Sequence, residues 1–234
     1  MSESIEKPNN KDVYIVIPAH NEATVIADVI KGIKKAGFEN VIIIDDGSRD
    51  NTQEVAKNAG ALALRHRINR GKGAAVKTGL VVAQKQNAKI VVTMDGDGQH
   101  DRMDIQEVIS PILAKEADVV LGTRLFDSKN ISIYKVVANK IANILTHVLT
   151  GLWVSDSQSG FRAFDAKALD VMTHVGDKYE YDSEIIRQIA RNHLKYKEVP
   201  IRVYYTDYSK GKAHKQGIVN GFKTLYRLVW NIIS

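Results

Sequence analysis

Ile90-Val91-Val92-Thr93-Met94-Asp95-Gly96-Asp97-Gly98-Gln99-His100 is the stretch on which the reading of this chain turns. The unbroken apolar run predicts a strand buried on both faces, and the glycine-spaced acids after it mark where that strand surfaces. Two carboxylates two residues apart at a strand end are hard oxygen ligands, of the kind that hold a divalent cation against phosphates. The alternative is a plain aspartate turn. An EF-hand loop begins similarly, with Asp95, Asp97 and Gln99 at its first, third and fifth places. His100 stands where its sharp-turn glycine belongs and Gln106 where its closing glutamate belongs, which excludes it.

Outward from this stretch, strand and helix patterns alternate. Apolar runs predict strands at 13–18, 41–44, 61–64, 90–94 and 119–122. Helical spacing predicts helices over 22–36, from about 52, over 71–86 and around 104–115. This alternation implies an α/β fold: a mostly parallel, Rossmann-like sheet with helices on both faces. Ligands of such sheets bind beyond the carboxyl ends of the strands. Pro18-Ala19-His20-Asn21-Glu22, Asp45-Asp46-Gly47-Ser48, the Asp95 loop and Thr123-Arg124 all fall at such ends, so one shared rim is expected.

The second half reads differently. Residues 133–152 carry a long apolar helical stripe with Lys135 and Lys140. A polar loop follows at 155–162, then a helix introduced by 179–184, a strand over 196–205, and a second amphipathic helix over 215–233. No repeat or linker splits the chain. The expected organisation is a flexible 1–11, one domain over 12–212 with halves at 12–124 and 125–212, and a basic amphipathic helix at 213–234.

With no cysteine among 234 residues, disulfides, thiolate catalysis and zinc–thiolate sites are excluded. No segment reaches the roughly 20 apolar residues of a membrane span. The polar N-terminus lacks the apolar core of a signal peptide. A cytoplasmic location is expected, and the amphipathic helices at 133–152 and 215–233 would allow peripheral attachment to the cytosolic face of a membrane. The net charge of +6 sits at the C-terminal end, where residues 186–234 hold ten Lys or Arg against two acids. Such a basic end attracts anionic lipid or nucleic acid, or is simply solvated surface.

A rim of carboxylates repels phosphate unless a cation stands between. Asp97, with Asp95 or Gln99, would hold Mg²⁺ or Mn²⁺, and the metal a diphosphate. Arg70 and Lys72 lie just before a helix whose amino end favours anions. Asp46 and Glu22 could accept hydrogen bonds from a base or ribose, or act as turn and cap residues. Neither of the usual phosphate loops is present, since Gly71, Gly73 and Gly79 follow neither pattern.

Together with Gly71-Lys72-Gly73, Gly122-Thr123-Arg124 and Ser159-Gly160-Phe161-Arg162, these motifs resemble, in order, family 2 glycosyltransferases. The likeness is specifically to the polyprenyl-phosphate (dolichyl-phosphate) mannose and glucose synthases, and runs from about Val13 to Pro200. It implies a GT-A fold and an inverting transfer of a hexose from a nucleotide-sugar, of GDP-mannose or UDP-glucose type, to a polyprenyl phosphate. An N-acetylhexosamine donor stays open, as does another acceptor such as a saccharide or protein glycan.

By the same resemblance, Pro18, Ala19, Asn21, Glu22, Asp45, Asp46, Arg70, Lys72, Asp95 and Gly96 would line the nucleotide-sugar. Asp95, Asp97 and Gln99 would surround the metal. Arg124, Lys135 and Arg162 would meet the acceptor phosphate, with Asp156 near the reacting centre. Lys135 stands where many members carry arginine, and a lysine lacks the bidentate fork. Asp97, Asp156, Arg124 and Arg162 are the expected catalytic residues. The expected partners are the donor, the lipid acceptor, a membrane surface, and a second copy or a small membrane-anchoring subunit, with no nucleic acid. A sugar nucleotidyltransferase, a phosphoacceptor switch using Asp45-Asp46 and an inactive scaffold are the rival readings.

Overall fold

The structure, a computed structural model, describes residues 10–124, 140–141, 143–144, 146–148, 150–174 and 181–204. The expectations for Lys135 and for residues 1–9, 133–139 and 205–234, including the C-terminal helix, lie outside the described residues. In chain order, the strands are β1 (Val13–Ala19), β2 (Asn40–Asp45), β3 (Leu62–Arg65), β4 (Ile90–Thr93), β5 (Val119–Arg124), β6 (Arg162–Asp165) and β7 (Tyr196–Ile201). The helices are α1 (Ile26–Lys35), α2 (Thr52–Asn58), α3 (Lys72–Lys85), α4 (Asp104–Leu113), α5 (Ala166–Thr173) and α6 (Tyr181–Arg191).

The strands form one sheet in the order β3-β2-β1-β4-β6-β5-β7. Every neighbouring pair is parallel except the two that involve β6, which runs antiparallel to β4 and to β5. Strand residues alternate between faces, and both faces are buried. Ile15, Ile17, Ile43, Val92 and Val120 join one core with α1, α2 and α4. Val16, Ile42, Ile44, Val91, Val119 and Leu121 join the other with α3, α5 and α6. That two-sided burial is why these strands read as continuous apolar runs.

Three local expectations change. Residues 22–25 form turns, with Glu22 O accepting from the Val25 and Ile26 amides, and α1 begins only at Ile26. The strand expected at 196–205 ends at Ile201, leaving Val203 in an isolated bridge to His100. The expected loop at 155–162 ends one residue early, because Arg162 opens β6. Within 133–152, the described residues of 140–150 are helical, and Gly151 ends the run at φ 74°. Ile141, Ile144 and Val148 are exposed on it, whereas Asn143 and Thr146 are buried.

Helix α3 buries Val76 and Leu80 together with the small residues Ala74, Ala75, Gly79 and Ala83, and Gly79 lets it lie close on the sheet. A Cβ at Gly79 would fall well inside van der Waals contact of Val16 Cγ1. Alanine there gains about 1 kcal/mol of helix propensity, but overpacking a close-packed core costs about 1–3 kcal/mol. With a clash this severe the upper end applies. Gly79→Ala is therefore expected to lower the denaturation midpoint, and an unchanged or raised midpoint in urea melts would refute that packing argument.

Candidate active site

The carboxyl ends of β1, β2, β4 and β5 open on one rim because those strands share a direction. Strand β6 runs the other way, so its first residue reaches the same rim, with Arg162 in register with Thr93 and with Leu121. The order of strands reverses between β1 and β4, the switch point at which open α/β sheets bind ligands.

On the β1–β2 side, the loops are laced together. Asn21 sits in the left-handed region at φ 55°, donates its amide to the Ser48 hydroxyl at 2.9 Å, and accepts from the Arg49 amide at 2.8 Å. The Glu22 amide donates to Thr52 Oγ1. Pro18 and Ala19 end β1, and Pro18 O lies against Gly96, where a Cβ would stand 3.2 Å from it. Asp45 is fully buried and turned into its own loop. Its Oδ1 accepts from the Ser48 amide at 2.8 Å, and Arg65 stands 3.5 Å from its Oδ2.

Asp46 anchors the loop that leads into α3. Its Oδ1 accepts from the Arg70 amide at 2.9 Å and lies 2.8 Å from His66 Nδ1, and its Oδ2 accepts from the Gly71 amide at 2.7 Å. His66 in turn reaches Thr78 with its other nitrogen. Gly47 makes this approach feasible: it holds φ 68°, and a Cβ would stand 2.6 Å from the Asn69 amide. Nothing in the spacing of the sequence marks His66.

At the end of β4, Asp95 Oδ1 lies 2.6 Å from Lys72 Nζ, and its Oδ2 lies 3.4 Å from His100 Nε2. Burial pushes the Asp95 carboxyl up, but the Lys72 charge and the His100 contact outweigh it, leaving the group well below the usual carboxylate range. Desolvation likewise works against the Lys72 ammonium, and Asp95 and Asp182 overcome it, raising its pKa. Asp97 moves the opposite way from Asp95. Burial, then the negative charge of Asp95 and more weakly that of Glu22, raise its pKa, although its Oδ1 accepts from the Gln99 amide at 3.1 Å. Gln99 O accepts from the Tyr204 amide.

Among the described residues, no group of three or more histidine, aspartate or glutamate side chains is preassembled around a metal position. The donor chemistry nevertheless fits a hard divalent cation. Asp97 is burdened by like charges that such an ion would relieve, and the available ligands are oxygens.

On the far side of the rim, Arg124 and Asp156 form a bidentate pair, with Nε to Oδ2 at 2.6 Å and Nη2 to Oδ1 at 2.8 Å. The Asp156 side chain is fully buried and that of Arg124 is 29% exposed. Arg162, expected to present an open guanidinium to a phosphate, is enclosed at 2% exposure. Its Nη2 donates to Ser157 O at 2.8 Å and stands 3.0 Å from Asp182 Oδ1. Glu184 accepts from Arg187 and Gln188 on its own helix.

Sequence reasoning missed the residues that hold this side together. Asn143 donates to Ser155 O and accepts from the Ser157 amide and hydroxyl. Glu198 accepts from the amide and hydroxyl of Ser155. Tyr181 and Asp182 open α6 beside Arg162. The buried polar atoms without a hydrogen-bond partner include His100 Nδ1, Arg162 Nη1 and Tyr181 Oη. These three belong to side chains that touch Asp95 or couple through charge to Lys72 or Arg162, whereas a further such atom, Asp45 Oδ2, lies by Arg65 on the β2 side. Unmet buried polar atoms gathered in one place are a mark of a functional site.

The family profile described as "Glycosyl transferase family 2" matches residues 14–173. An uncharacterised protein of Methanocaldococcus jannaschii is 38% identical, covering 96% of this chain and 94% of its own length. The UDP-N-acetylglucosamine–dolichyl-phosphate N-acetylglucosaminyltransferase of Methanococcus voltae is 37% identical, covering 94% of this chain and 96% of its own length. Among solved structures, glucosyl-3-phosphoglycerate synthase from Mycobacterium tuberculosis, in complex with Mn²⁺, UDP and phosphoglyceric acid, has the same fold. It superposes with a TM-score of 0.63 at 19% identity, over 91% of this chain and 77% of that one.

Proposed function

The chain belongs to glycosyl transferase family 2, and on that premise we propose that it moves a sugar from a nucleoside-diphosphate donor to the phosphate of a dolichyl-type polyprenyl lipid. The donor assigned is UDP-N-acetylglucosamine, on the strength of the Methanococcus voltae relative, whose likeness extends over nearly the whole chain. Carrying the reading is the convergence of the Asp46-anchored loop, the Asp95–Asp97 acids and the Arg124–Asp156 pair on one rim. This is the layout needed to place a diphosphate leaving group opposite an anionic acceptor.

In the proposed reaction, a phosphate oxygen of the lipid attacks the anomeric carbon and forms the new bond. The bond from that carbon to the donor's diphosphate breaks, UDP leaves, and the configuration inverts. A phosphate monoester has a second pKa of about 6, so the nucleophile is already anionic and no strong general base is required. The work of the chain is electrostatic placement. Asp46, by taking the Arg70 and Gly71 amides, fixes the loop that leads into α3, and the helix amides that follow favour a diphosphate. Arg124, its plane set by Asp156, meets the acceptor phosphate. Arg162, enclosed at 2% exposure beside Asp182, is less open to a phosphate than Arg124, whose side chain is 29% exposed.

Asp97 with Asp95 and Gln99 would hold Mg²⁺ or Mn²⁺, which when bound neutralises charge on the leaving diphosphate. Mn²⁺ and UDP in the fold neighbour agree with that assignment. No helix among the described residues is long and apolar enough to cross a membrane. The lipid acceptor is reached from the bilayer surface, a placement supported by Ile141, Ile144, Val148 and Trp153, which are exposed near the Ser155–Ser157 loop.

The test is a panel of nucleotide sugars with a short polyprenyl phosphate and Mn²⁺, scored for lipid-linked sugar. UDP-N-acetylglucosamine is expected to give product, and excess chelator to stop it. Transfer that is equally fast onto the polyprenol lacking its phosphate would overturn the acceptor assignment.

A further inference from the structure

Lys72 stands where a cation is wanted and is attached to the wrong partner for a donor-binding residue. Its Nζ lies 2.6 Å from Asp95 Oδ1, a carboxylate placed at the metal position. The seat is shaped for this contact: a Cβ at Gly160 would stand 2.8 Å from both Asp95 Oδ1 and Lys72 Nζ. The lysine side chain is also 44% exposed, so it has room to leave. Its backbone opens α3, directly after the Arg70–Gly71 amides that Asp46 holds in place.

We infer that Lys72 is a resident cation: it occupies Asp95 in the donor-free protein and passes to the donor diphosphate when a divalent ion takes Asp95. This deepens, and rests on, the donor site proposed above. Charge balance drives the exchange. Without donor, Lys72 pairs with Asp95, whose charge and that of Glu22 bear on Asp97, while Arg162 and Asp182 pair with each other. A divalent ion arriving alone must break the Lys72–Asp95 pair and then sits beside an ammonium that has lost its partner. When a diphosphate arrives as well, the same ammonium gains an anion at the start of α3. Metal and nucleotide therefore each tighten the binding of the other, and by linkage the two enhancements are equal. A lysine suits the task because its compact charge rides on a flexible stem.

The experiment measures free Mn²⁺ by electron paramagnetic resonance and UDP by calorimetry, each alone and in the presence of the other. In the wild-type protein, saturating UDP is expected to tighten Mn²⁺ on the order of tenfold or more. In Lys72→Met, Mn²⁺ alone should bind on the order of tenfold tighter than in wild type, UDP alone more weakly, and the mutual enhancement should shrink to the share that the charges of metal and diphosphate supply by themselves. Mn²⁺ binding to Lys72→Met no tighter than to wild type would overturn the exchange. So would wild-type binding of UDP and Mn²⁺ that is tight yet independent, an outcome that leaves the donor site intact and needs no variant. If UDP binds under neither condition, the donor site itself falls and the exchange with it.

Discussion

Asp97→Asn is expected to lose transfer activity and, in metal-free buffer at neutral pH, to melt at a higher temperature than the wild type. The activity loss follows from removing a charge assigned to the cation beside the leaving group. Deleting one such electrostatic contact typically costs about 10²–10³ in rate. The stability gain follows from the raised pKa of Asp97, which burial and the neighbouring Asp95 charge impose on it. A carboxyl whose folded pKa is raised binds protons more readily in the folded state than in the unfolded one. Its ionised form therefore costs stability above the folded pKa, and that cost vanishes as the pH falls below the unfolded value. The asparagine variant should hold its advantage at neutral pH and lose it on acidification. Paired melts across pH in chelator, with turnover at saturating Mn²⁺, check both halves. Normal turnover in Asp97→Asn would remove the metal assignment, and equal melting at neutral pH would remove the electrostatic account of the site.

Arg124→Ala carries the largest expected loss of stability. It strips both guanidinium bonds from an Asp156 carboxylate that is fully buried, leaving it, among the described residues, only the 3.3 Å bond from the amide of residue 124. Breaking a buried ion pair by deleting one partner costs about 3–5 kcal/mol, because a charge is left without compensation. Since Arg124 is itself 29% exposed, water can reach the gap and the lower end applies. About 3 kcal/mol corresponds to a fall of roughly 6–12 °C in a chain of this size. Replacing both partners, as in Arg124→Met with Asp156→Leu, should recover part of that loss while leaving transfer abolished. Recovery of stability without recovery of activity separates the structural worth of the pair from its place in the reaction. A melting temperature unchanged in Arg124→Ala would show that Asp156 does not depend on the guanidinium.

Much of this layout is legible in the sequence. Strands β1, β2, β4 and β5 lie between two cores, so each reads as an apolar run, and each run stops at an Asp-, Asn- or Arg-bearing loop. Strand β6 is not legible: Arg162-Ala163-Phe164-Asp165 is short, begins and ends with a charge, and is a strand only because β4 and β5 flank it. Helix α5 escaped sequence reasoning despite a local signal, since Asp165 caps it by accepting from the Ala168 amide at 2.7 Å. Asn143 and Glu198 have no such signal, as each serves a loop distant in sequence.

By itself, the sequence determined which acids stand together and where the strands surface. The Asp95–Asp97 spacing and the apolar runs are local, and local pattern follows from chain periodicity. Tertiary structure alone decided the partners: Lys72 with Asp95, Arg124 with Asp156, Arg162 with Asp182. Those pairings depend on the order and direction of the strands, above all on the reversed β6 that delivers Arg162 to the rim and then encloses it. An ion pair between distant residues has no period in the sequence, because its geometry is made by packing.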